Sequence, residues 1–69
     1  MEALKIFGNR SEYSKLEAAK QSMTVGQLID YLEQFDKDAK VIISNDGGYT
    51  YGYVNTHYID DDLTQIKEY

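Results

Sequence analysis

The chain has 69 residues, no cysteine and a formal net charge of −5, from seven basic and twelve acidic side chains. A chain of this length forms one small core worth about 3–5 kcal/mol, so we predict a single domain over residues 1–69. The absence of cysteine excludes disulfides and thiolate metal sites. The acidic balance disfavours direct nucleic-acid binding. With no leader-like segment and no apolar run of membrane-spanning length, the expectation is a cytoplasmic protein without membrane contact.

The N-terminal third contains one predicted strand and one segment that is predicted to be either a helix or a loop. Residues 1–8 alternate enough for a strand, with Leu4 and Ile6 on one face and Phe7 on the other. Residues 11–20 predict a helix capped by the first serine of that segment, Ser11. Because the apolar stripe of this segment is thin, a loop over the same residues is the alternative.

The main predicted element is an amphipathic helix that begins after Thr24 and ends between residues 35 and 37. Thr24 is a favourable N-cap, and Gln27 stands where it completes a capping box. Apolar residues recur at spacings of three and four and form one stripe: Val25, Leu28, Ile29, Leu32 and Phe35. The acidic side chains of Asp30 and Glu33 fall outside that stripe.

Two strands joined by a turn follow this helix. The β-branched run 41–43 predicts a strand that is central or covered on both faces. The sequence N-D-G-G at 45–48 predicts a hairpin turn. Residues 49–59 then predict a long strand, bent or broken at Gly52. Alternation places one set of its residues on a single face: Tyr49, Tyr51, Tyr53, Asn55, His57 and Ile59. Tyr58 falls on the opposite face.

The last ten residues leave two interpretations open. Leu63 and Ile66 are spaced for a short helix started by Asp60 or Asp61, and a strand paired with the N-terminal segment is the alternative. Together the elements predict an α+β fold. Its sheet is antiparallel with three to four strands, and the helix over 24–35 packs across one face.

No residue pattern in the chain indicates catalysis. His57 is the only histidine and has no second histidine or cysteine to assist it, so we interpret it as an ordinary strand residue. The run Asp60–Asp62 matches no EF-hand spacing and reads as a solvated acidic turn. The turn at 45–48 lacks the lysine of a phosphate-binding loop. We therefore predict no catalytic, cofactor-binding or metal-binding residue, and no enzymatic activity.

The tyrosine-rich strand is the strongest sign of a binding function. Tyrosine is enriched at the centres of protein interfaces, although tyrosines that only pair across strands are the alternative. Stacking on nucleic acid is disfavoured because no lysine or arginine occurs between Lys40 and Lys67. The acidic residues are either a negative surface for a basic partner or a plain solvated face. The predicted protein-binding residues are Tyr49, Tyr51, Tyr53, Asp30, Glu33, Asp60, Asp61 and Asp62.

The segment M-T-V-G-Q-L-I-D-Y-L-E-Q-F-D-K-D-A-K-V at Met23–Val41 resembles a pattern in small proteins of bacteriophages, prophages and gut bacterial mobile elements. In size, charge and tyrosine content the chain is also similar to phage inhibitors of host defence, anti-CRISPR proteins among them. That similarity carries over no functional residue. It implies an acidic inhibitor that occupies the basic surface of a host nucleic-acid-handling defence protein, such as a CRISPR-associated nuclease. The alternative is a structural or regulatory homodimer that pairs through the tyrosine-rich strand.

Overall fold

The computed structural model describes residues 1–66 of the chain. Their elements are, in order, β1 (Ala3–Phe7), α1 (Lys15–Gln21), α2 (Val25–Leu32), β2 (Lys40–Asn45), a 3-10 turn (Asp46–Gly48), β3 (Thr50–Tyr53) and a second 3-10 turn (Thr56–Tyr58). The protein is therefore α+β. Its described residues form two compact units, which we call the sheet unit (1–9 and 38–63) and the helical unit (10–37 and 64–66).

The sheet has three strands in the order β1-β2-β3, so β2 is central as its β-branched run predicts. β2 and β3 are antiparallel, but β1 and β2 are parallel, with Leu4 opposite Val41. The prediction of a purely antiparallel sheet is therefore wrong, and the sheet is mixed. The physical reason is the connection: a parallel pair needs a long crossover, and the residues between β1 and β2 supply one that includes both helices.

The turn between β2 and β3 confirms the prediction from the N-D-G-G sequence. Three successive residues have positive φ: Asp46 (49°), Gly47 (67°) and Gly48 (98°). Asn45 pairs with Thr50 where the two strands meet the turn. Glycine adopts such angles without steric cost, and aspartate tolerates them better than most residues. The local sequence therefore fixes this reversal of the chain.

The strand after this turn is shorter than predicted. β3 ends at Tyr53 instead of continuing to Ile59. The Asn55 side chain accepts a hydrogen bond from the His57 backbone N–H at 2.9 Å, and this contact begins the second 3-10 turn. An asparagine that bonds to the backbone two residues later competes with strand pairing. Residues 60–66 form neither the predicted helix nor the predicted strand, and the rest of that prediction lies outside the described residues.

The predicted capping box of α2 is confirmed. The Gln27 backbone N–H donates to Thr24 Oγ1 at 3.1 Å, and the Thr24 N–H donates to Gln27 Oε1 at 2.9 Å. The predicted end of this helix is wrong, because α2 ends at Leu32 with Glu33 as its C-cap. The Phe35 N–H then donates to the Leu32 carbonyl at 3.1 Å, a tighter 3-10-type bond that closes the helix one turn early.

α1 is present, but its N-cap is Ser14 and not the predicted Ser11. The Ser14 hydroxyl accepts from the Glu17 backbone N–H at 3.4 Å. The sequence S-K-L-E at 14–17 has the serine–glutamate spacing of a capping box, whereas Ser11 has a serine three residues later. The helix therefore starts where the first turn has both a capping hydroxyl and an acidic side chain.

Burial in the described residues 1–66 is low. No apolar side chain among them is fully buried, and the single buried polar residue is Ser44, with 4% exposure. Val41, Ile42 and Ile43 of β2 are half-buried. The apolar stripe of α2 has no fully buried member. The predicted packing of α2 across one face of the sheet therefore stays a prediction.

Candidate protein-binding surface

Two of the predicted binding tyrosines share one face of the sheet. The register places Tyr51 opposite Ser44 and Tyr53 opposite Ile42. Since side chains on paired residues point to the same side, this face extends onto β1. We call it the tyrosine face, and its members are Lys5, Phe7, Ile42, Ser44, Tyr51 and Tyr53. Tyr51 and Tyr53 are 58% and 61% exposed, so both rings are accessible.

The third predicted tyrosine lies outside β3. Tyr49 is the C-cap of the first 3-10 turn, and its backbone N–H donates to the Asp46 carbonyl at 3.4 Å. Its side chain is exposed. Asn55 and His57, which alternation placed on the same face, follow the end of β3 and are not part of the sheet. The continuous row of side chains predicted from Tyr49 to Ile59 is therefore wrong beyond Tyr53.

Tyr58 joins the candidate surface although sequence alternation placed it on the opposite side. Its ring meets that of Tyr53 edge to face, with centroids 5.2 Å apart and planes at 83°. One phenol O–H donates to the other across 3.1 Å. Edge-to-face packing is one of the arrangements that aromatic pairs prefer, because the positive edge of one ring meets the negative face of the other. The residue from which this contact could have been predicted is Asn55. Its side chain accepts a hydrogen bond from the His57 backbone, which begins the turn that carries Tyr58 to Tyr53.

A cleft of about 350 Å³ lies beside these rings, lined by Ile43, Tyr51, Gly52, Tyr53 and Tyr58. We call it the tyrosine cleft. Gly52 and Ile43 are opposite each other in the β2–β3 register. A Cβ atom at Gly52 would lie 3.8 Å from the Ile43 Cβ, so the missing side chain leaves space at the wall of the cleft. All five residues belong to the sheet unit.

The Tyr53–Tyr58 contact predicts a measurable pH effect. The hydrogen bond with Tyr58, and secondarily desolvation, raises the pKa of the Tyr53 phenol above its usual value. The folded state is therefore more stable when the Tyr53 phenol is neutral than when it is ionised. This contribution is complete below the ordinary pKa of about 10 and is lost as the pH rises through the raised value. We expect an NMR pH titration of the Tyr53 ring to show the raised pKa, and Tyr58→Phe to move it towards the ordinary value. An unchanged Tyr53 pKa in that variant contradicts the hydrogen bond.

The predicted acidic residues are divided between the two units. Asp60, Asp61 and Asp62 follow the second 3-10 turn in the sheet unit, where the Asp62 N–H donates to Asp60 Oδ1 at 3.0 Å. Asp30 lies within α2, and Glu33 is the C-cap of that helix, in the helical unit. A hydrogen bond thus joins Asp60 to Asp62, whereas Asp30 and Glu33 belong to the other unit.

Residues 1–66 contain no group of three or more histidine, cysteine, aspartate or glutamate side chains placed to hold a metal ion. Within the same residues, neither helix has the length and apolar character needed to cross a membrane. No protein-family model, curated protein or solved structure matches the chain. The tyrosine cleft and the acidic composition of the chain are therefore the features that bear on function.

Proposed function

We propose that this chain is a non-enzymatic acidic binding protein of phage or mobile-element origin that acts in the host cytoplasm. It inhibits a host nucleic-acid-handling defence protein, most specifically a CRISPR-associated nuclease, by occupying its basic surface. The observation that carries the proposal is the tyrosine cleft. It presents exposed rings of Tyr51, Tyr53 and Tyr58 within residues 41–66, which contain aspartates but no lysine or arginine.

The aromatic residues supply the contact area in this proposal. Tyrosine has a large ring, a polar tip and few rotatable bonds, and it is enriched among the residues that dominate binding energy. Tyr53 and Tyr58 hold each other through their ring contact and their hydroxyl bond. Side chains that are already held in place lose less freedom when a partner binds.

The charge supplies the selectivity for a basic partner. Residues 41–66 contain four aspartates, at positions 46, 60, 61 and 62, and no lysine or arginine. A surface of one sign raises the association rate with an oppositely charged partner and weakens contact with like-charged ones. The same charge opposes binding to phosphates, so the partner in this proposal is the nucleic-acid-binding protein and not the nucleic acid.

The proposal includes a single domain in which α2 packs across the face of the sheet opposite the tyrosine face. Leu4, Ile6 and Val41 lie on that opposite face, and so does Ile43, which also lines the tyrosine cleft at the β3 edge. The apolar stripe of α2 supports this arrangement, since a helix with one apolar stripe is stabilised by packing that stripe against an apolar surface. Such packing leaves Tyr51 and Tyr53, which lie on the other face, available to a partner.

Charge reversal tests the electrostatic part of the proposal. We expect the triple variant Asp60→Lys, Asp61→Lys and Asp62→Lys to lose about tenfold or more in inhibitory potency at low salt, and less at high salt, because screening weakens charge pairing. The measurement is cleavage of a labelled DNA duplex by a panel of purified CRISPR-associated nucleases. A second variant, Asp30→Lys with Glu33→Lys, tests the helix carboxylates in the same assay.

The control matched to the two-site variant reverses two carboxylates elsewhere: Glu2→Lys with Glu12→Lys, both at exposed positions. This control is expected to keep the potency of the parent within about threefold, since these exposed carboxylates lie outside the proposed surface and exposed charges have small effects. Equal potency of the parent and the Asp60–Asp62 variant contradicts electrostatic occupation. A parent that inhibits no nuclease in the panel contradicts the favoured target.

A second candidate function is a structural or regulatory homodimer, favoured by one observation. β3 is an edge strand, and its sequence T-Y-G-Y contains neither a charged residue nor proline, the usual means of blocking strand addition. Two copies of β3 could pair and extend the sheet across the dimer. Light scattering at micromolar concentration separates the two functions. A stable dimer that withdraws the Tyr51 and Tyr53 rings favours the homodimer, and a monomer favours the inhibitor.

A further inference from the structure

The tyrosine cleft is lined by aromatic rings and by the phenol oxygens that those rings carry. The rings of Tyr53 and Tyr58 stand nearly perpendicular, at 83°, and Tyr51 adds a third ring to the lining. Tyr51 is 58% exposed, Tyr53 61% and Tyr58 68%, so part of each ring surface is open to solvent. The face of an aromatic ring is negative and its edge is positive. A cation that reaches the exposed face of one of these rings is therefore attracted to it.

The phenol oxygens add hydrogen-bond acceptors to this aromatic lining. The hydroxyls of Tyr53 and Tyr58 lie 3.1 Å apart, and one donates to the other. A hydroxyl oxygen has two acceptor positions, so the pair retains the capacity to accept from a further donor. The lining contains no lysine or arginine that would repel a cation, and residues 41–66 carry only acidic formal charges. The cleft thus combines aromatic rings with hydroxyl acceptors, in a chain whose net charge is −5.

The β1 end of the tyrosine face already shows this chemistry within the chain. The Lys5 ammonium lies 5.9 Å from the centroid of the Phe7 ring, which is within the range of a cation–π interaction. Lys5 and Phe7 lie on the same strand. The sheet therefore pairs a cation with an aromatic ring at one edge, whereas the rings at the β3 edge have no basic side chain in their cleft.

We propose that the tyrosine cleft binds the guanidinium group of an arginine side chain on the partner protein. This inference rests on the proposed function and names the partner chemistry of the same site. A guanidinium is planar, carries five N–H donors and is weakly hydrated, so it stacks on a ring and donates to phenol oxygens at the same time. A lysine ammonium is more strongly hydrated, and a quaternary ammonium has no N–H to donate. Of these three cations, guanidinium is therefore the one that suits both the aromatic rings and the phenol oxygens.

The test is an NMR titration of the full chain with ethylguanidinium chloride at constant ionic strength. Ethylurea, which is neutral, and ethylammonium are the comparison ligands. We expect saturable shifts at the rings of Tyr51, Tyr53 and Tyr58 and at the Gly52 amide, with a dissociation constant on the order of tens of millimolar for the isolated group. Ethylammonium is expected to bind more weakly and ethylurea not to saturate. Equal shifts with ethylurea, or shifts spread over the whole chain, overturn the inference.

Variants locate the binding without depending on one substitution. Tyr51→Ala should abolish saturation while leaving the Tyr53–Tyr58 pair in place, and Tyr58→Phe should weaken binding about threefold because it removes one acceptor. The matched control is Tyr13→Ala, at a fully exposed tyrosine of the helical unit, which should bind like the parent. Binding by Tyr51→Ala that equals the parent contradicts the assignment.

The outcome separates this inference from the proposed function. Localised guanidinium binding by a chain that inhibits no nuclease supports the cleft and contradicts the inhibitor. Inhibition that is unchanged in Tyr51→Ala, combined with no localised guanidinium binding, supports the inhibitor and contradicts the cleft.

Discussion

Ser44→Asp is expected to leave the chain unfolded at room temperature. Ser44 is the single buried polar residue among residues 1–66, and it lies in the central strand opposite Phe7 and Tyr51. Placing an unpaired carboxylate in such a site costs several kcal/mol. A core in a chain of this size supplies about 3–5 kcal/mol, so the substitution removes most or all of the stability. Circular dichroism with urea denaturation measures the loss.

The control at this position is Ser44→Asn, which keeps a polar side chain of similar size to aspartate without a charge. We expect Ser44→Asn to fold with a smaller loss of stability than Ser44→Asp. Burial raises the pKa of a carboxyl group, so acidification should return part of the lost stability to the Ser44→Asp variant as the pH falls through the raised value. A Ser44→Asp chain that unfolds at the same urea concentration as the parent shows that the site accepts charge and contradicts the burial.

Tyr53→Ala is expected to reduce nuclease inhibition by about 30-fold or more. Tyr53 lines the tyrosine cleft, forms the edge-to-face contact with Tyr58 and supplies one of the two paired hydroxyls. Truncation of a tyrosine at the centre of an interface commonly costs about 2 kcal/mol or more, which corresponds to that change in affinity. The measurement is the concentration for half-maximal inhibition in the DNA-cleavage assay.

Two controls separate the ring from its hydroxyl and from general effects. Tyr53→Phe keeps the ring and is expected to lose only a few-fold in potency, because it removes the hydroxyl bond to Tyr58 alone. Tyr13→Ala removes an exposed tyrosine outside the sheet unit and should inhibit like the parent. If Tyr53→Ala and Tyr13→Ala inhibit equally well, the tyrosine cleft is not the binding surface.

The features predicted correctly from sequence are those determined by neighbouring residues. The α2 capping box needs only Thr24 and Gln27, three residues apart, and it forms as predicted. The turn at 46–48 needs residues that accept positive φ, and the sequence contains them. The position of β2 at the centre of the sheet follows from its β-branched run.

The features predicted wrongly depend on distant residues or on competing local bonds. The parallel pairing of β1 with β2 joins Ala3 to Lys40, and no local pattern specifies the direction of such a pair. The prediction that β3 continues to Ile59 did not include the hydrogen bond that Asn55 accepts from the His57 backbone. It therefore also missed the ring contact between Tyr58 and Tyr53. The spacing of apolar residues predicted that α2 continues to Phe35, whereas the helix ends at Leu32. Tyr51 and Tyr53 of the tyrosine cleft were therefore predicted from the sequence, whereas the contact of Tyr58 with Tyr53 was not.

The parallel pairing of β1 also bears on how the chain is made. β2 and β3 are joined by a short turn, whereas Ala3 reaches Lys40 only when the long connection between β1 and β2 closes. Because closing a long connection costs more entropy than closing a short turn, we expect β1 to pair later than β3, and Leu4, Ile6 and Phe7 lack their neighbouring strand until then. Newly made chains should present this segment to chaperones or to each other before the sheet closes.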